Sequence, residues 1–144
     1  MIKEALRIYP PVYLYSRMSI ADVTIGGYAV PKNTIVLISP LSVQHRPDLW
    51  PDPMRFDPDR FLPEAEDARP RDAWIPFSDG PRVCIGMHFA MIEAPLVLAT
   101  LLQHADFELT AREAITAADD SATLRPRGGV PVRVKSRIAL AQTG

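Results

Sequence analysis

The chain has a single cysteine, and that scarcity is its first constraint: Cys84 has no partner, so no intramolecular disulfide can form. A lone thiol suits a reducing compartment, where it is kept for chemistry or simply buried, and the expected location is cytoplasmic. An excess of one charge is missing too. The 16 basic and 17 acidic residues nearly cancel and are interspersed, so no basic stripe faces a nucleic-acid backbone, and nucleic acid is not an expected partner. Long apolar runs are also absent. The longest, Ala94-Pro-Leu-Val-Leu-Ala-Thr-Leu-Leu102, falls far short of the roughly 20 residues of a membrane-spanning helix. Met1-Ile-Lys-Glu-Ala-Leu-Arg7 carries neither an apolar core nor a small-residue cleavage site, so it does not read as a secretory signal.

What is present is globular and rich in ordered loops. A hydrophobic content of 47% over 144 residues is enough for a core, and one compact unit is the default expectation. Fifteen prolines are about twice the usual share of roughly 5%, which implies long coils with fixed φ. Met1 to Ile8 reads as a helix with Ile2, Ala5 and Leu6 on one face, stopped by Pro10-Pro11. It opens without a capping residue, so its packing partners are expected upstream of this chain. Val12 to Ser39 turns to strand patterning, with a turn at Gly26-Gly27, a second at Pro31-Lys-Asn33, and a β-branched run at Ile35-Val-Leu-Ile38. A small antiparallel sheet follows from that pattern. The 32 residues from His45 to Pro76 hold seven prolines, too many for a helix, and predict an ordered coil packed on the core. Gly86 to about Gln103 returns to helical spacing, with Phe89, Ile92, Leu96 and Ala99 near one face and a kink at Pro95. Phe107 to Leu109 and Val130 to Val134 are short strand candidates.

Cys84 lies between a turn, Ser78-Asp-Gly80-Pro81, and the start of that helix. A helix N-terminus and the charge of Arg82 both favour thiolate over thiol. Taken alone, one cysteine in an apolar chain is a buried small hydrophobe. The spacing around it reverses this. Phe77-x-x-Gly80-x-Arg82-x-Cys84-x-Gly86 resembles the haem-binding signature of the cytochrome P450 family at each defining position. The resemblance implies Cys84 as the axial thiolate ligand of a haem b iron, Gly80 and Gly86 as points of close backbone approach, Phe77 beside the sulfur, and Arg82 on a propionate. A thiolate ligand pushes electron density onto iron and favours O–O cleavage.

Three further segments are similar to the same family, in the same order. Glu4 and Arg7 stand at i and i+3, which by spacing alone is an exposed ion pair worth a few tenths of a kcal/mol. The resemblance implies instead a buried pair, joined by Arg60 of Phe56-Asp-Pro-Asp-Arg60-Phe61 in a structural charge triad that pins the coil to the helix. Arg17 resembles the family position that holds the other propionate, against the plain reading of an exposed charge. His45-Arg-Pro-Asp-Leu-Trp50-Pro-Asp-Pro is similar to the segment leading into the coil, where packing is its whole role. Val12, Tyr13 and Leu14, and the turn at Ser121-Ala122, resemble substrate-lining segments, with core packing as the equal alternative.

Other chemistries are weaker. His88 lies four residues from Cys84, but two ligands do not close a zinc site of four. Ser78 and Asp79 near a histidine lack the nucleophile, base and orienter of acyl transfer. The expected fold class is therefore α+β, mainly α: helix, small antiparallel sheet, long proline-rich coil, cysteine loop, helix and C-terminal β segments. Residues 1-144 would form a partial cytochrome P450 domain, the C-terminal portion, lacking the N-terminal and oxygen-binding-helix regions. Pro95 and Asn33 depart from the family pattern without disturbing the ligand assignment. The implied activity of the intact protein is monooxygenation of a small apolar substrate, with electrons from a ferredoxin or flavoprotein reductase. The rival expectations are a truncated, non-catalytic haem-binding or interaction module, and a chain that does not fold cooperatively.

Overall fold

Proline ends the first helix where the sequence requires it, because Pro10 offers no amide to continue the ladder and restricts Tyr9 to extended φ/ψ. In the computed structural model, which describes residues 1–111, 115–118 and 123–137, this helix, α1, runs Ile2–Ile8 and Tyr9 caps it at φ −128°. Its buried face is not the apolar one expected. Glu4, Arg7 and Ile8 are buried, whereas Ala5 and Tyr9 are exposed. The described residues fall into two compact units, one of Met1 and Lys3–Ser78, the other of Ile2 and the residues from Asp79 onward.

In the first unit, β1 (Tyr15–Met18) pairs antiparallel with β4 (Ile35–Ile38), Tyr15 opposite Ile38 and Met18 opposite Ile35. Between them, β2 (Val23–Ile25) and β3 (Tyr28–Val30) form a hairpin. Its two-residue loop places Gly26 at φ 56° and Gly27 at φ 87°, the double positive φ that matches the right-handed twist of the strands. Asn33 takes the left-handed conformation, φ 65°, that its position in the second turn predicted. Ser39 caps a one-turn helix, α2 (Pro40–Val43), accepting from the Ser42 amide.

The stretch from His45 to Pro76 is ordered, but not all coil. A five-residue helix, α3 (Pro63–Asp67), interrupts it, together with 3-10 turns at Pro58–Phe61 and Arg71–Ala73. Pro58 and Pro63 sit at first-turn positions, where the missing N–H has no partner to lose. Trp50 is the largest buried side chain of the unit, fully inaccessible, and its indole Nε1 donates to the Ala73 carbonyl at 3.2 Å. Ile8, Pro10, Pro40, Ala73 and Ile75 complete the small apolar core.

The second unit opens with a 3-10 turn at Gly80–Arg82 and continues as α4 (Met87–His104), assigned as one helix through Pro95. No residue of α4 is buried, and Phe89, Ile92 and Leu96 are each more than 60% exposed. The apolar face expected from spacing is present but uncovered among the described residues. β5 (Ala105–Leu109) pairs with β8 (Val132–Arg137), with a register shift at Asp106/Phe107, and β6 (Ala117–Ala118) pairs with β7 (Arg125–Pro126). No helix among the described residues is long and apolar enough to cross a membrane.

Trp50→Ala is expected to destabilise the chain by about 3–5 kcal/mol, since it removes a fully buried aromatic side chain and strands the Ala73 carbonyl. Chemical denaturation of the two proteins side by side measures it.

Candidate functional site

The Glu4-x-x-Arg7 spacing puts both side chains on the inward face of α1, and they meet there as a two-point pair. Arg7 Nε donates to Glu4 Oε2 at 2.7 Å and Nη2 to Oε1 at 2.9 Å, with neither side chain accessible to solvent. The remaining donors of Arg7 go to the carbonyls of Gln44 at 2.8 Å and Pro53 at 2.6 Å. Glu4 also accepts from the Asp57 amide at 2.9 Å, and Arg60 Nε stands 3.6 Å from Glu4 Oε1. Glu4, Arg7 and Arg60 thus come together. Arg60 is the looser member: its Nη2 donates to the Asp52 carbonyl at 3.0 Å, while its buried Nε has no hydrogen-bond partner.

Several side chains that spacing did not single out complete this cluster. Arg69 stacks 3.9 Å over the Trp50 ring and donates to the Arg60 carbonyl at 2.7 Å. Burial pushes its guanidinium below the ordinary arginine pKa, against the raising influence of Glu66. Trp50, Phe61, Trp74 and Phe77 form a series of tilted and edge-on aromatic contacts, with centroids 5.7, 5.8 and 6.2 Å apart. Gln44 is fully buried. Nothing in its sequence context marks it, because a glutamine at the end of a short helix is ordinarily solvated.

Phe77 closes the first unit, half-buried against Trp74. It lies in a turn in which the Ser78 amide donates to the Ile75 carbonyl at 3.1 Å, and Ser78 itself takes φ 66°. The Ser78 hydroxyl accepts from Arg17 Nη2 at 2.8 Å, and the Arg17 guanidinium lies 4.8 Å over the Tyr15 ring. Arg17 is therefore not a free surface charge; it is held at the end of β1. Val12 and Leu14 are exposed and Tyr13 half-buried in the segment between α1 and β1. Ser121 and Ala122 lie outside the described residues.

Gly80, Arg82, Cys84 and Gly86 belong to the second unit. Gly80 has φ 72°, a conformation that a side chain strains, and it opens the 3-10 turn whose last residue is Arg82. Cys84 follows, an exposed free thiol, and its carbonyl accepts from the Met87 amide at 3.2 Å at the entry to α4. Gly86 caps the helix, and a Cβ there would meet Cys84 Sγ at an ordinary 3.8 Å contact. Val83, Ile85 and Phe89, near Cys84 along the chain, are exposed apolar side chains, Ile85 completely so.

Residues 1–131 match the family model described as Cytochrome P450. The chain belongs to the cytochrome P450 family. It is 41% identical over 138 residues to Cytochrome P450 4V2 of Mus musculus, covering 95% of this chain and 26% of that protein. It is 45% identical over 102 residues to Pentalenene oxygenase of Streptomyces avermitilis, covering 71% and 23% respectively. Among solved structures, a cytochrome P450DA heme domain superposes with a TM-score of 0.87 at 30% identity, over 95% of this chain and 30% of the other. The chain spans about a quarter of the length of the curated relatives it matches.

Cytochrome P450 membership implies a haem cofactor, and the local chemistry fits one. An accessible thiol for iron is flanked in the chain by exposed apolar side chains that a flat apolar ring would cover. The buried triad gives a separable prediction. Glu4→Gln leaves the Arg7 guanidinium buried without a counter-ion and should cost about 3–5 kcal/mol. Lys3→Ala, which removes the ion pair with Glu66 at 36% and 41% side-chain exposure, should cost no more than about 1 kcal/mol. Urea unfolding of both variants tests the contrast.

Proposed function

We propose that the intact protein is a haem-thiolate monooxygenase that inserts one oxygen atom from O2 into a small apolar organic substrate, with this chain carrying the proximal haem-binding part. The observation that carries this reading is the Cys84 thiol, presented to solvent between a 3-10 turn and α4. Cys84 would supply the thiolate that holds the iron of haem b. By the family signature, Gly80 and Gly86 would admit the ring to the backbone, Phe77 would serve the thiolate side of the haem, and Arg82 and Arg17 would each hold a propionate. Haem held through a thiolate supplies oxygen activation, because the electron-rich sulfur favours O–O cleavage.

Glu4, Arg7 and Arg60 have a structural part: their network ties the coil to α1 and touches no reacting atom. Val12, Tyr13, Leu14, Ser121 and Ala122 are assigned to the substrate cavity. Their sequence context supports this, and the exposure of Val12 and Leu14 is consistent with an unfilled apolar wall. The electrons come from a ferredoxin or flavoprotein reductase, and the location is cytoplasmic, where a lone accessible thiol stays reduced. The alternative is a truncated haem-binding or interaction module without turnover.

The carbon monoxide complex of the reduced, haem-loaded intact protein should show the strongly red-shifted band of thiolate ligation, and Cys84→Ala should abolish it. Absence of the band in the parent, or its persistence in the variant, overturns the assignment. Haem titration of the 144-residue chain by itself, with stoichiometric uptake and no turnover, would favour the alternative. Arg82→Ala should weaken haem retention by about tenfold, the loss expected for one charge-assisted hydrogen bond, as read from the rate of haem transfer to an apoprotein acceptor.

A further inference from the structure

Gln44 is a fully buried polar side chain that the charge triad and the cysteine loop leave unused. Its amide is satisfied on both sides. Nε2 donates to the carbonyls of Leu6 at 3.0 Å and Arg7 at 2.9 Å, while Oε1 accepts from the Ile75 amide at 2.9 Å. The orientation is dictated by these partners, since the flipped amide would face a donor with a donor and two carbonyls with an oxygen. Gln44 is itself immobilised, because its own carbonyl accepts from Arg7 Nη1 at 2.8 Å. The carbonyls it takes are among those that a helix leaves unpaired at its C-terminal end.

The far end of this bridge is the informative one. Ile75 begins the turn closed by the Ser78 amide. That turn carries Phe77, and through its hydroxyl Ser78 holds Arg17. Two of the residues assigned to the cofactor therefore hang on one short turn, and Gln44 is the side chain that fastens the first amide of that turn to α1.

We propose that Gln44 is a positioning residue for the cofactor site, acting as a clamp that fixes the Ile75–Ser78 turn and hence Phe77 and Arg17. A leucine or methionine would fill the same space with no acceptor for Ile75. The role assigned to Phe77 and Arg17 rests on the haem-thiolate reading; the clamp itself does not.

The test is site-resolved hydrogen exchange on the intact protein and its Gln44→Met and Gln44→Glu variants, together with the carbonyl spectrum of each haem-loaded form. The control is the Trp50 amide, which donates to the Arg46 carbonyl at 2.8 Å and makes no bond to the Gln44 side chain. Gln44→Met should accelerate exchange at Ile75 by about tenfold more than at Trp50, matching one lost buried hydrogen bond, and should lower the share of the red-shifted thiolate band. Gln44→Glu keeps an acceptor for Ile75 but loses the donors to the Leu6 and Arg7 carbonyls, so at a lower Tm it should still accelerate Ile75 relative to Trp50 less than Gln44→Met does and retain more of the thiolate band. Equal acceleration at Ile75 and Trp50 overturns the clamp, as does a band that follows Tm in both variants. Should Gln44→Glu fail to fold, the Ile75-to-Trp50 comparison in Gln44→Met still decides. A parent protein without the thiolate band defeats the haem reading and leaves the exchange result to stand for the clamp alone.

Discussion

The buried Glu4–Arg7 pair is the constraint on which the first unit depends. Two charges removed from water incur several kcal/mol of desolvation each, and only near-complete hydrogen bonding offsets it. The chain meets that demand by bringing distant segments to one place: the carbonyls of Gln44, Pro53 and Arg55, the Asp57 amide, and the Arg60 guanidinium. Each of these lies in the proline-rich stretch or just before it. The coil, which packs Trp50, Ala73 and Ile75 into the core, is held as well by polar contacts that converge on a single turn of helix.

Charge pairing also explains why the core is small yet specific. Trp50 packs between two guanidinium groups, Arg7 at 5.1 Å and Arg69 at 3.9 Å from its ring centre. Lys3 sits near Phe61 and Trp74 while pairing with Glu66. Such contacts bury the hydrocarbon stems of long cations against aromatic faces, so residues that composition counts as charged supply part of the packing. Among the described residues of the second unit only Ala118 is a buried apolar side chain, and α4 displays Phe89, Ile92 and Leu96 to solvent.

Local structure was legible where backbone chemistry alone decides it. Prolines 10 and 11 stop α1, the Gly26-Gly27 pair makes the hairpin, and Asn33 takes the left-handed turn position, all because φ preferences act within a few residues. Periodicity was a poorer guide. It chose Ile2, Ala5 and Leu6 as the inward face of α1, whereas the helix turns Glu4 and Arg7 inward, since the coil offers them carbonyls and amides that water would otherwise supply. Proline count likewise overstated the absence of helix between His45 and Pro76, because a proline at the first helical position is no obstacle.

The sequence by itself determined the family. The spacing of Phe77, Gly80, Arg82, Cys84 and Gly86 is a local pattern, and local patterns survive without knowledge of the fold. Only the tertiary structure decided which polar groups are buried and what satisfies them. It showed Arg17 held by Ser78, Arg60 at the edge of the triad, and Gln44 bridging α1 to the turn that carries Phe77. Those partners are separated by tens of residues, and a hydrogen bond depends on where two groups lie in space, which spacing along the chain does not encode.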